Sequence, residues 1–235
     1  MLGDAVHGVL EDLFKPYKDI ELNADDLRET AKGAEQALRN KLSMKFPDST
    51  LDQGYFKLRI AMAGQAMTKY LLAEADRVTD QTTIIQDIEL EVEASLRDGT
   101  VLKGRCDRTE LREGIHHILD LKTGSVQARD LILPDLERDA LNADRRYALQ
   151  LMVYAWCYLM QNPLVPLVRT GIIPLQRASQ SEGLFLKITN SDEITRQMLP
   201  EIATLLSSLV DELRDPAIPF RHDVNAKYCA CCVAG

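Results

Sequence analysis

In LGDAVHGVLEDLF, residues 2–14, Val6, Val9, Leu10, Leu13 and Phe14 recur at three- and four-residue spacing, which makes one face of a helix apolar. The same period runs through residues 23–46, with Asn23 or Asp25 placed to cap the start and Pro47 just past the end. Residues 54–77 predict a third helix of about six turns. The period then drops to two. TIIQDIELEVEASL alternates as a strand, Asp98-Gly99 signals a two-residue hairpin, and TVLKGRCDRTEL returns as a second strand. With REG as the next turn, IHHILDLKTG makes a third strand, and the three form an antiparallel meander. Residues 125–144 show no clear period and read as a mobile loop. DRRYALQLMVYAWCYLM reads as a helix, LVRTGIIPL and GLFLKIT as two more strands, and residues 191–215 as a long helix interrupted by Pro200. This order predicts an α/β or α+β fold: a sheet flanked by helices, with a helical N-terminal third.

Composition narrows the class. The 235 residues suit a single enlarged domain, read as a helical N-terminal region over residues 1–80, a core over 83–190, and a C-terminal helix with a cysteine tail over 191–235. At 46% hydrophobic and 27% charged, the chain has the make-up of a soluble globular protein. No apolar run approaches the ~18–20 residues that span a bilayer, and no basic-then-apolar leader opens the chain. Five unevenly spaced cysteines do not make a secreted disulfide framework, so the expected location is cytoplasmic, with no membrane partner. The net charge of −8 lowers the expectation of a stand-alone nucleic-acid binder, which usually carries a basic surface. It fits a chain that borrows affinity from a partner or neighbouring domain.

The chemistry concentrates in GRCDRTELREGIHHILDLKTG, residues 104–124. A three-residue REG turn pairs Leu111 with Ile115 and sets Asp107 near Leu119, one place short of Asp120. A bulge or twist would bring the two carboxylates together. Lys122 shares the strand face of Asp120, because side chains alternate with period two. Neighbouring carboxylates repel, and a hard divalent cation such as Mg²⁺ or Mn²⁺ relieves them. A lysine beside them can orient a water and offset charge on a phosphate. An isolated D-x-K is more often a solvated strand face.

GRCDR followed by ILDLKTG resembles the core of the PD-(D/E)XK nucleases, in particular the RecB-like branch found in RecB- and AddB-type helicase–nucleases. YALQLMVYAWCYL resembles that branch's Q-x-x-x-Y helix through Gln150 and Tyr154, and GDAVHGVLEDLF its opening helix through His7. The four elements occur in the family's order over residues 3–158. The resemblance implies a restriction-endonuclease-like core, with a mixed central sheet containing the antiparallel meander. It implies that His7, Asp107, Asp120 and the backbone carbonyl of Leu121 hold Mg²⁺ or Mn²⁺. Asp107, Asp120 and Lys122 would be catalytic, with Lys122 assisting the attacking water, and Gln150 and Tyr154 would face DNA or brace the site.

Plainer readings stand beside these roles. A single histidine in an amphipathic helix is more often a surface or core residue, and only the family pattern raises His7 above that. Gln150, Tyr154 and Tyr158 share one helix face, where a buried glutamine bonded to a strand carbonyl serves as well as DNA contact. His116 and His117 point to opposite faces of a strand and read as structural. Glu89, Glu91 and Glu93 read as a solvated strand face, with Glu89 or Glu91 available to join the metal site. Arg145 and Arg146 are reasonable phosphate contacts, or simply a charged first turn.

KYCACCVAG ends the chain, with Cys229 and Cys232 in C-x-x-C spacing. Many RecB-like nucleases hold an iron–sulfur cluster with one cysteine ahead of the domain and three behind it. Here no cysteine precedes His7, and Cys106 and Cys157 read as small core residues, so a complete cluster is not expected. The short lead-in before His7 and the truncated cysteine motif suggest a domain excised from a larger protein. A helicase-like subunit or upstream domain would then supply what is missing. The overall expectation is a metal-dependent deoxyribonuclease acting in DNA repair or recombination, exonuclease ahead of endonuclease. The competing reading is an inactive nuclease-fold module that binds DNA or acts as a scaffold.

Overall fold

A computed structural model describes residues 2–177 and 182–219. Helix α1, Leu2–Phe14, buries Ala5, Val6, Val9, Leu10 and Phe14, the stripe that its spacing marks out. Helix α2, Ala24–Ser43, starts at Asn23, whose side-chain oxygen accepts from the N–H groups of Asp25 (2.8 Å) and Asp26 (3.3 Å). A short turn of helix, α3, Asp48–Leu51, leads into α4, Gly54–Asp80. Helices α2 and α4 pack closely. A Cβ added to Gly64 would come within 3.2 Å of the Glu35 Cα, so only glycine allows this approach.

Strands β1, Thr83–Ser95, β2, Val101–Arg112, and β3, Ile115–Lys122, follow. Two short strands, β4 (Ile132–Leu133) and later β7 (Lys187–Ile188), pair in parallel as a separate ribbon that the sequence does not announce. Helix α5, Arg146–Gln161, precedes β5, Leu167–Pro174. Strands β6, Leu184–Phe185, and β8, Ile194–Thr195, complete the main sheet, whose order is β1-β2-β3-β5-β6, with β8 on β5. Leu175 N–H donates to Lys122 C=O at 3.0 Å, which joins the C-terminal ends of β3 and β5 and makes that pair parallel. The sheet is therefore mixed, with an antiparallel meander at one side. Among the described residues no helix is long and apolar enough to cross a membrane.

The chain divides into two compact units, and the boundary falls within β1, β2, β5 and β6. The first unit holds residues up to 91, 105–126 and 171–184; the second holds 92–104, 127–170 and residues from 185 onward. In the first unit an ion cluster lies under β2. Glu74 and Glu110 are wholly buried among Arg77, Arg108 and Arg112. Arg108 donates to Glu74 at 2.8 Å and lies 4.7 Å over the Phe14 ring. In the second unit α5 buries nine of its residues, including Tyr154, Trp156 and Tyr158.

Three expectations are corrected. Residues 125–144 form an ordered run of 3-10 turns around β4, pinned by buried Val126, Leu131, Leu133, Leu136 and Leu141. GLFLKIT is split between β6 and β7, which belong to different sheets. Pro200 does not interrupt a helix: it sits in the first turn of α6, Leu199–Arg214, where its missing N–H costs nothing.

Candidate metal centre

Two residues set the geometry of the centre. Glu113 (φ 46°) and Gly114 (φ 80°) both take left-handed backbone, which makes the β2–β3 turn a two-residue hairpin rather than the three-residue REG loop. The register therefore runs Arg112–Ile115 to Arg108–Leu119. Carried one rung further, that register sets Asp107 against Asp120, and the Asp107 charge reaches Asp120. Past Arg108 the ladder gives way to side chains: Asp107 Oδ2 accepts the Leu121 N–H at 2.5 Å. The N–H and C=O of one strand residue point the same way, so the Leu121 carbonyl also turns toward β2.

Helix α1 brings the imidazole. His7 Nδ1 lies 3.1 Å from Asp107 Oδ1. The helix start is held close to the end of β3, since a Cβ on Gly3 would lie 3.2 Å from Thr123 Oγ1. Lys122 Nζ stands 2.5 Å from Asp120 Oδ2. The Asp120 side chain is only 4% exposed, and burial pushes its carboxyl up, opposed by Lys122 and reinforced by the Asp107 charge. Hydrogen bonding to Asp107 raises the His7 pKa above its ordinary value, against the effect of burial.

Two facing carboxylates, an imidazole and a backbone carbonyl form a nitrogen–oxygen donor set that suits a hard divalent cation. Burial of the mutually repelling pair gives such a cation its electrostatic reason to bind. Among the described residues, three His, Cys, Asp or Glu side chains nowhere converge as a finished ligand cluster. Here Asp120 is paired with Lys122 and Asp107 with His7, so a cation would have to compete with those internal partners.

Two residues add to the motif set. Glu89 lines a cleft with His7, Glu11, Asp107 and Leu121. Its own backbone is left-handed (φ 55°) in the middle of β1, a β-bulge in character. Thr83 and Ile85 are buried before it in the strand, and Asp87 to Glu91 are half-buried or exposed. Burial and the nearby Asp107 raise the Glu89 pKa, while Arg105 opposes them. The alternating glutamates could suggest this residue, but nothing in the sequence locates its left-handed backbone. Gly104 is the other, and it belongs to the second unit. An added Cβ there would sit 2.7 Å from Tyr154 Cδ1 and nearer still to Cε1, so the glycine of G-x-x-D makes room for the tyrosine of Q-x-x-x-Y.

Gln150 and Tyr154 are brought together within that unit: Gln150 Nε2 donates to Tyr154 Oη at 2.6 Å, and Tyr154 is buried. Arg146 stacks 4.5 Å over Tyr147. His116 meets Gln86 at 2.9 Å, and His117 Nδ1 meets the Ile115 carbonyl at 2.9 Å, which accounts for both within the sheet. Cys229 and Cys232 lie outside the described residues.

Helices flanking a mixed sheet, with one carboxylate midway along β2 and a carboxylate and a lysine at the end of β3, define a restriction-endonuclease-like α/β protein. A family model described as the PD-(D/E)XK nuclease superfamily matches residues 1–233, and the chain belongs to that superfamily. That membership carries nuclease activity and divalent-metal use as its general chemistry, with DNA as the implied substrate. No curated protein matches the chain.

Proposed function

We propose that this chain is a DNA nuclease domain of the RecB-like branch that hydrolyses phosphodiesters with Mg²⁺ or Mn²⁺ held by His7, Asp107, Asp120 and the Leu121 carbonyl. The observation that carries the reading is the placing of Asp107 and Asp120 on the paired strands β2 and β3, with His7 and Lys122 each within hydrogen-bonding distance of one of them. A bound divalent cation lowers the pKa of a water and offsets charge on a phosphate. The chain's own groups do the rest. The two aspartates hold the cation, and the Leu121 N–H and His7 fix the Asp107 rotamer. Lys122, released from Asp120, steers the attacking water and neutralises charge gathering on the phosphate. Gln150 and Tyr154 belong to a buried bonded pair, which supports a bracing role over direct DNA contact.

The domain would act as an exonuclease within a helicase–nuclease used in repair or recombination. The partner's basic surface would offset the −8 charge. A scaffold that has kept the fold is favoured by one observation, the internal pairing of both carboxylates. Cleavage of end-labelled linear DNA beside closed circular DNA, in Mg²⁺, Mn²⁺ or chelator, tests the proposal. Metal-dependent loss of the linear substrate alone is the expected result. Intact DNA under every condition would refute it.

A further inference from the structure

Alternation along β2 sets Val101, Lys103, Arg105 and Asp107 on one face. Arg105 is therefore two positions from a carboxylate of the proposed metal centre, on the same side of the strand and two-thirds exposed (66%). Its Nε is 2.7 Å from Glu89 Oε2. Glu89 itself takes left-handed backbone (φ 55°) within β1. An ordinary cross-strand ion pair between exposed residues contributes little and needs no distorted strand. Here the partner of Arg105 is Glu89, which lines a cleft together with Glu11 and Asp107.

A polyanion approaching this surface meets the carboxylates of Glu11, Glu89 and Asp107, and an exposed cation beside them makes the approach more favourable. An arginine offers a planar fork of five N–H donors, and with Nε turned to Glu89 the other nitrogens suit a phosphate. On the basis of the nuclease reading above, we infer that Arg105 binds a backbone phosphate of the substrate strand, next to the phosphodiester that is cut. It acts as a substrate-positioning residue outside the metal's ligand set.

The test is fluorescence anisotropy of a labelled oligothymidylate over a salt series. Ca²⁺ replaces the catalytic metal so that the strand is held and not cut. Wild type, Arg105→Ala and Arg105→Lys are compared, and Mn²⁺ calorimetry is run on each. Arg105→Ala should weaken strand binding about tenfold, the size of one charge-assisted hydrogen bond. It should also reduce the slope of log K against log salt by about 0.7, one phosphate contact on a single strand. Arg105→Lys should keep the slope and lose some of the affinity. In cleavage, KM should rise more than kcat falls, and Mn²⁺ affinity should match wild type. Unchanged affinity and slope in Arg105→Ala, beside a binding wild type, would overturn this inference alone. Loss of Mn²⁺ affinity would overturn it too, by moving Arg105 into the metal centre. A wild type that neither binds nor cuts would remove the nuclease reading itself.

Discussion

Gly104→Ala isolates the contact between the G-x-x-D strand and the Q-x-x-x-Y helix. The added methyl would lie 2.7 Å from Tyr154 Cδ1 and nearer still to Cε1. Ordinary carbon–carbon contact is about 3.5–4.0 Å, so ring or strand must give by about an ångström. The ring has little room: Tyr154 is 7% exposed, and Leu151, Ala155, Cys157 and Tyr158 beside it on α5 are all buried. Overpacking of this kind costs about 1–3 kcal/mol. Gly104 does not use left-handed backbone, so alanine recovers about 0.5–1 kcal/mol of chain entropy. The net loss is about 1–2 kcal/mol, or roughly 2–8 °C of Tm for a chain this size. Calorimetry on Gly104→Ala, Tyr154→Ala and the double variant gives the coupling directly. In the Tyr154→Ala background the methyl should fill some of the cavity, and its penalty should vanish or reverse. An equal penalty in both backgrounds would refute the contact.

Two further predictions concern charge. Burial alone would push Glu110 up, but Arg108, Arg112 and Arg77 outweigh it and bring its carboxyl down to about 2. Its contribution to stability is therefore full above the unfolded-state value near 4.5 and lost as pH falls toward 2. Glu110→Gln removes one of the two buried carboxylates that balance Arg77, Arg108 and Arg112, leaving Glu74 alone among them, and should cost about 3–5 kcal/mol at neutral pH in urea unfolding. His7 has a folded pKa above 6.5, so its stabilisation of the protein without added metal is complete below pH 6.5 and lost as pH rises through the raised value. Metal affinity runs the other way, because a ligand imidazole must be neutral. Mn²⁺ calorimetry should show tighter binding at about pH 8 than at about pH 6, and His7→Ala should flatten that dependence.

The elements of the centre were legible because their signals are local. The seam of α1, the D-x-K alternation and the 13-residue separation of Asp107 and Asp120 can all be read along the chain. The register was not, because it depends on Glu113 adopting left-handed backbone, which glutamate rarely does. The same applies to the left-handed backbone of Glu89. Residues 125–144 looked loose because their leucines follow no period, although tertiary burial of Leu131, Leu133 and Leu141 fixes them. Glu110 of TELR, with Arg108, Glu74 and Arg77, forms an ion cluster that only long-range packing assembles. Gly104 has meaning only once Tyr154, fifty residues on, is laid against it.

The central claim is that Asp107 and Asp120 hold a cation and Lys122 turns it to cleavage. Wild type and Lys122→Ala assayed side by side, each by Mn²⁺ calorimetry and by Mn²⁺-dependent cutting of labelled DNA, address it directly. The account predicts that both proteins bind Mn²⁺, the variant at least as tightly because Asp120 has lost its internal cation, while only wild type cuts. Equal cutting by the two proteins, or no Mn²⁺ binding by wild type, would contradict it.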